Sequence, residues 1–207
     1  MDEQITVKPL ANRWRLWVDG CGGFLILSGD RWTVGGPTGR LGGLSSNGEK
    51  TKTDICVATD WPSHAGTLSR SEDCFFWQAW SQGQKTDRIA VSSGRSLPID
   101  GAAEMNLVQP SPLSPTGVLT LRPPHRFTGH VDAVILAEQA LLVGSTNDCH
   151  ARGHWMAETD KVVMTRRDDV WMAKSVADRE LRVLPLGERA KFGSIAMMLE
   201  RATFEDE

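Results

Sequence analysis

Short runs in which apolar and polar residues alternate recur along most of the chain, and this period of two restricts what it can build. "RWRLWV" sets Trp14, Leu16 and Val18 on one side of an extended backbone, and "RWTVG" does the same with Trp32 and Val34. Successive side chains of a strand point to opposite faces, so each run is suited to one buried sheet face. Further runs at "DICVA", "CFFWQAW", "RIAVS" and "EMNLVQ" are bounded by turn material such as "DGCGG", "SEDC", "SSGRS" and "IDGAAE". The prolines of "QPSPLSPTG" forbid helix and central strand alike. Beyond them the pattern resumes in "AVILA", "ALLVG", "KVVMTRR", "DVWMAKS", "ELRVLPL" and "SIAMMLER". Many short strands at close spacing predict an all-β sandwich rather than alternating strands and helices. The last run alternates Ile195, Met197 and Leu199 with Ala196, Met198 and Glu200, which predicts a strand through Arg201 although its residues are good helix formers.

The two halves correspond. "GFLILSGDRWTVGG" and "DAVILAEQALLVGS" each read as strand, tight turn and strand ending in glycine, and an aspartate then enters the next strand: Asp54 in one half, Asp148 in the other. "LPIDGAAEMNLV" likewise faces "LPLGERAKFGSIAMML". A tandem duplication accounts for this and predicts two domains, 1–125 and 126–207. The first carries an insert at 36–53, rich in glycine and serine, with the character of a surface loop.

A net charge of −3 gives no long-range attraction for nucleic acid or an anionic bilayer. The longest apolar run, "VDAVILAEQALLVG", carries Asp132 and Glu138 and is too short for a hydrocarbon core of about 30 Å. "MDEQITVKPL" lacks the basic n-region and apolar h-region of a secretory signal, so the expected compartment is the cytoplasm. Cys21, Cys56, Cys74 and Cys149 are widely spaced without a C-x-x-C, which predicts free thiols.

Several residues invite chemistry. His64 sits beside Ser63, but neighbours on a strand face opposite ways, so they do not form a nucleophile–base pair. Cys149, His150 and His154 are zinc-type ligands, yet a site needs three or four, and only Glu158 and Asp160 stand near in sequence. "GGPTGRLGG" lacks the Gly-Lys-Ser/Thr ending of a phosphate loop. Trp14, Trp17, Trp32, Trp77, Trp80 and Trp171 fall mostly on core-facing positions rather than on a carbohydrate platform. "TRRDD", Thr165 to Asp169, reads as a charged strand-to-turn run. No catalytic residue, cofactor or metal is assigned.

With Gly35, Asp54-Ile55, His64 and Gly94 in this order, the chain resembles the forkhead-associated (FHA) domain, in tandem across nearly its whole length. The resemblance implies two FHA-like β-sandwiches and a non-catalytic protein–protein interaction role in bacterial phosphorylation-linked signalling. The implied partner is a protein or phosphothreonine peptide, with no nucleic acid and no membrane. A phosphate brings a charge of about −1.5 to −2 and three acceptor oxygens, so its pocket needs a guanidinium with hydroxyl or amide donors. The residues implied for such a pocket are Gly35, Gly36, Arg40, Ser63, His64, Arg70, Ser93 and Gly94, with Ser45, Ser46 and Lys50 as further donors on the insert. The chain departs from the family pattern at Gly36 and Ser145, where arginine is usual, at Trp61 for serine, and at Ser93 for asparagine. Phosphate-independent binding therefore stands beside phosphopeptide recognition. A structural subunit of a larger assembly and a small metal-dependent enzyme are the alternatives.

Overall fold

The computed structural model describes residues 12–37, 53–81, 84–111 and 114–202. These form an all-β protein without helices, so no helix long and apolar enough to cross a membrane occurs among them. In chain order the first half contributes β1 (Arg13–Val18), β2 (Gly22–Ser28), β3 (Arg31–Gly35), β4 (Ile55–Cys56), β5 (Gly66–Ser71), β6 (Cys74–Ser81), β7 (Gln84–Lys85), β8 (Ile89–Val91), β9 (Arg95–Ser96) and β10 (Met105–Val108). The second contributes β11 (Gly117–Leu121), β12 (Ala133–Ala137), β13 (Ala140–Gly144), β14 (Ala151–Arg152), β15 (Lys161–Arg167), β16 (Val170–Ser175), β17 (Arg182–Val183), β18 (Arg189–Phe192) and β19 (Ile195–Arg201). The terminal strand runs through Arg201, as its alternation implied.

A central eight-stranded sheet has the order β18-β19-β1-β2-β12-β11-β10-β9. The order is palindromic with respect to the duplication: the first and last strands of one half flank those of the other. β1 pairs with β19, β11 pairs with β10, and β2 meets β12 in parallel, Ile26 opposite Ile135. A pseudo-twofold axis thus lies in the sheet, along the strands between β2 and β12. Such an axis keeps strand direction but turns the faces over. The two outer sheets accordingly cover opposite faces, β4-β3-β5-β6 with β7 and β8 on one, β14-β13-β15-β16-β17 on the other.

Two cores result. One unites Trp14, Leu16, Phe24, Ile26 and Ile135 with Leu141, Met164 and Trp171 of the second outer sheet. The other unites Leu25, Leu27, Val134 and Leu136 with Trp32, Leu68 and Trp77 of the first. β2 and β12 are therefore apolar on both faces, which is why "FLIL" and "AVILA" run without alternation. The expected boundary at 125/126 falls between β11 and β12, adjacent strands of one sheet, and each core draws on residues from both sides of it. The halves are repeats that share their buried strands. Of the insert at 36–53, residues 38–52 lie outside those described.

This sharing predicts that neither half stands alone. Expressed separately, 1–113 and 114–207 are each expected to lack a cooperative thermal transition, and to regain one when mixed. A first half that melts cooperatively by itself would contradict the shared-core arrangement.

Candidate functional site

Alternation on the first outer sheet sends Trp32, Val34, Leu68, Phe75 and Trp77 inward and leaves a polar outer face. That face carries Arg31 from β3, Thr67, Ser69 and Ser71 from β5, and Phe76, Gln78 and Trp80 from β6, with Thr67 opposite Gln78 and Ser69 opposite Phe76. A groove of about 290 Å³ runs across it between Arg31 and Arg88. Arg88 lies with its guanidinium carbon 3.8 Å above the Phe76 ring, a cation–π contact that holds the charge on the sheet surface. Among the described residues no ion pair engages Arg31 or Arg88. The groove combines the guanidinium groups of Arg31, Arg70 and Arg88 with three hydroxyls and an amide, and it is also lined by the Asp30 carboxylate, which pairs with Arg70.

The loop end of the same sheet holds part of the expected pocket. A Cβ at Gly35 would collide with the Ser63 carbonyl oxygen, and one at Gly36 with that of Trp61, so these glycines let the 61–63 backbone lie against β3. The Gly36 N–H donates to the Pro62 carbonyl at 2.9 Å, and the Thr53 hydroxyl to that of Ser63 at 2.5 Å. Trp61, at the position where the family has serine, is buried. His64 stacks on Trp80 with centroids 5.2 Å apart and planes 16° off parallel, and its Nε2 is 3.4 Å from the Thr67 hydroxyl. Burial lowers the His64 pKa, helped by the positive charges of Lys85 and Arg31. His64 is thus a half-buried neutral ring tying the loop to β5 and β6.

Of the remaining predicted residues, Arg70 lines the groove from below, and Ser93 and Gly94 are not among its lining residues. Arg40, with Ser45, Ser46 and Lys50, is outside the described residues. Ser93 and Gly94 form the β8–β9 turn near the opposite end of the sheet: the Ser93 hydroxyl accepts from the Gln109 N–H at 2.9 Å, and Gly94 has a left-handed φ of 79°. Arg70 is near that end too and is buried in the fold. Its guanidinium pairs with Asp30 at 3.0 Å, donates to the carbonyls of Gly29, Pro115 and Leu136, and lies over Trp32. Arg166 is its counterpart, for Arg70 N–H donates to the Asp30 carbonyl as Arg166 N–H does to that of Gln139. Arg166 reaches back to Ser28 and Asn12 and lies 4.4 Å over Trp14. Each arginine therefore ties its outer sheet to strands of the other half.

The zinc-type cluster is also dispersed. In parallel pairing Val34 faces Ile55 and Val143 faces Ala151, so the residue matching Asp54 is His150 and not Asp148. Asp54 accepts from the Thr33 N–H at 2.8 Å; His150 Nδ1 accepts from the Leu142 N–H at 3.0 Å. The two side chains do the same work on the backbone, and Nδ1 has no lone pair left for a metal. Asp148 instead binds Lys161 and Thr146, which hold its carboxyl down at about 2. His154 is exposed, and no group of three metal-ligating side chains occurs among the described residues. All four cysteines are free, Cys56 and Cys149 buried, Cys21 half-buried and Cys74 exposed.

Sequence reasoning missed Arg31, Thr67, Ser69, Gln78 and Arg88 as a group. The alternation in "GTLSRS" and "FFWQAW" was the available signal, but only the β5–β6 register brings the two outward sets together. No protein-family model, curated protein or solved structure matches the chain at a significant level.

Two consequences can be measured. Arg70→Met strips three buried-side carbonyls of their donor and should lower unfolding free energy by about 3 kcal/mol; an unchanged denaturation midpoint would remove Arg70 from the framework. Burial pushes the His150 imidazole down to about 4. Unfolded, it titrates near 6.5, so protonation favours the unfolded chain: stability falls from about pH 6.5 downward, by on the order of 3 kcal/mol once pH reaches about 4. His150→Gln keeps an acceptor for Leu142 without the titration. Denaturant unfolding across this window should be flatter for that variant, and equal slopes would contradict the assignment.

Proposed function

We propose that the protein is a non-catalytic interaction module of FHA type, acting in bacterial cytoplasmic signalling by recognising phosphothreonine-bearing partner proteins. The observation that carries this reading is the outer groove, where Arg31 and Arg88 accompany Thr67, Ser69, Ser71 and Gln78, and the lining carboxylate, Asp30, is paired with Arg70. Guanidinium, hydroxyl and amide donors on one surface are the set that a phosphate dianion requires. The duplicated strand order and the resemblance carried by Gly35, Asp54, His64 and Gly94 add support. The contact surface in this reading is the sheet face beside the loop end, with the His64–Trp80 stack and Lys85, 5.7 Å over the Trp80 ring, at its border.

Titration with a phosphothreonine peptide library and the unphosphorylated twins tests it. Phosphorylated peptides are expected to bind at least tenfold more tightly. Arg31→Ala and Arg88→Ala should each weaken that binding by about 10- to 100-fold, the range of one charge-assisted hydrogen bond. Equal affinity for the twins would end the phosphate reading.

A second reading, a structural subunit of a larger assembly, is favoured by the other outer sheet. Its face presents Val170, Leu181 and Val183 at 46%, 42% and 61% exposure, beside Leu142, Val163 and Met172. Contiguous exposed apolar side chains mark contact surfaces. A monomer by sedimentation at micromolar concentration would count against this reading.

A further inference from the structure

The β11–β12 connector exceeds what the fold requires of it. Its counterpart between β1 and β2 is the tight turn 19–21, whereas 122–132 makes a long excursion. The excursion is anchored: Phe127 bridges Val57, the Ala58 N–H donates to the Arg126 carbonyl at 2.9 Å, and the Thr128 N–H donates to that of Cys56 at 3.0 Å. Phe127 and Val131 are each 5% exposed. Gly129 and His130 take left-handed φ values of 73° and 57°, and Asp132 closes the segment by accepting from the Gly23 N–H at 3.0 Å.

Between this excursion and the end of β11 lies a cleft of about 640 Å³, more than twice the volume of the outer groove. Leu121, Pro123 and Pro124 supply its accessible apolar surface over the buried Phe127 and Val131, while His125, Arg126 and His130 supply basic groups. Among the described residues none of these three side chains has a hydrogen bond or ion pair, and the lining carboxylate, Asp132, is held by Gly23. An apolar, largely preformed concavity with a few convergent polar groups is the usual form of a small-molecule site. Each of the three spare groups can donate a hydrogen bond, and one is a guanidinium.

We propose that this cleft binds an organic anion: an apolar, ring-sized body against Leu121, Pro123 and Pro124, bearing one carboxylate or phosphate that Arg126 and the flanking imidazole N–H groups receive. The site is separate from the outer groove, with which it shares no lining residue. Its occupant is either a free small molecule or a modified side chain of a partner, and the anion-on-apolar-body chemistry is common to both.

Isothermal titration of the full chain with phenyl phosphate, benzoate, inorganic phosphate, phenol and a phosphotyrosine peptide tests the proposal. Phenyl phosphate or benzoate should bind at least tenfold more tightly than inorganic phosphate and phenol. A peptide matching phenyl phosphate supports a partner side chain, and a weaker peptide supports a free ligand. Arg126→Ala, an exposed position, should cost about tenfold or more without altering thermal unfolding; His125→Ala, as a second variant, should cost several-fold. Arg88→Ala, in the outer groove, should leave this binding intact whether or not it affects phosphothreonine peptides. Absence of binding by both aryl anions, inorganic phosphate equal to phenyl phosphate, or undiminished affinity in Arg126→Ala overturns it.

Discussion

The parallel pairing of β2 with β12 is the constraint on which the remaining architecture rests. Parallel neighbours need a long crossover, and here it is the whole first outer sheet together with β9, β10 and β11. Because the pair is covered on both faces, residues 24–27 of β2 and 133–137 of β12 each enter one core or the other. Ile26, Ile135 and Leu136 are fully enclosed, and burial of such a side chain contributes roughly 1.5–3 kcal/mol. The neighbouring β11 divides its residues in the same way, Val118 to one core and Leu119 to the other, so these adjoining strands couple the two halves.

The buried arginines follow from that layout. An outer sheet whose strands hairpin away from β2 or β12 must be held against strands supplied by the other repeat, and Arg70 and Arg166 reach across to them. Both sit near the hairpin turns, where chain ends of several strands leave carbonyls needing donors. The same duplication that placed these arginines symmetrically let the outer faces diverge. Thr33 and Thr67 pair on one sheet where Leu142 and Val163 pair on the other. One outer face carries polar side chains and the other apolar ones, on equivalent scaffolds.

Much of the candidate chemistry in the sequence is absorbed by backbone support. Asp54 and His150 accept backbone N–H groups at equivalent places, Thr53 reaches the Ser63 carbonyl, and His64 is stacked on Trp80. Titratable residues near glycine-rich loops attract functional readings, yet a strand end with unpaired N–H groups also needs acceptors. Only geometry separates the two uses. Arg70 shows the limit plainly, since nothing in "TLSRS" distinguishes an arginine that faces solvent from one that crosses into the other half.

Short apolar runs and period-two alternation by themselves determined the all-β class and the position of most of the longer strands, because a strand's side-chain direction is a local property of its backbone. By contrast, β5, β18 and the two-residue β7, β9 and β14 carried too little apolar pattern to be marked. The repeat was equally legible, since duplication leaves the order of turns and glycines intact. Which strands pair, and across which half, was decided only in the tertiary structure: β1 with β19 and β2 with β12 are contacts between residues far apart in sequence, and no local pattern encodes a partner. The groove and the cleft belong to that second class. Arg31 and Arg88 meet Ser69 through strand register, and His125, Arg126 and His130 surround a cavity because Phe127 found Val57.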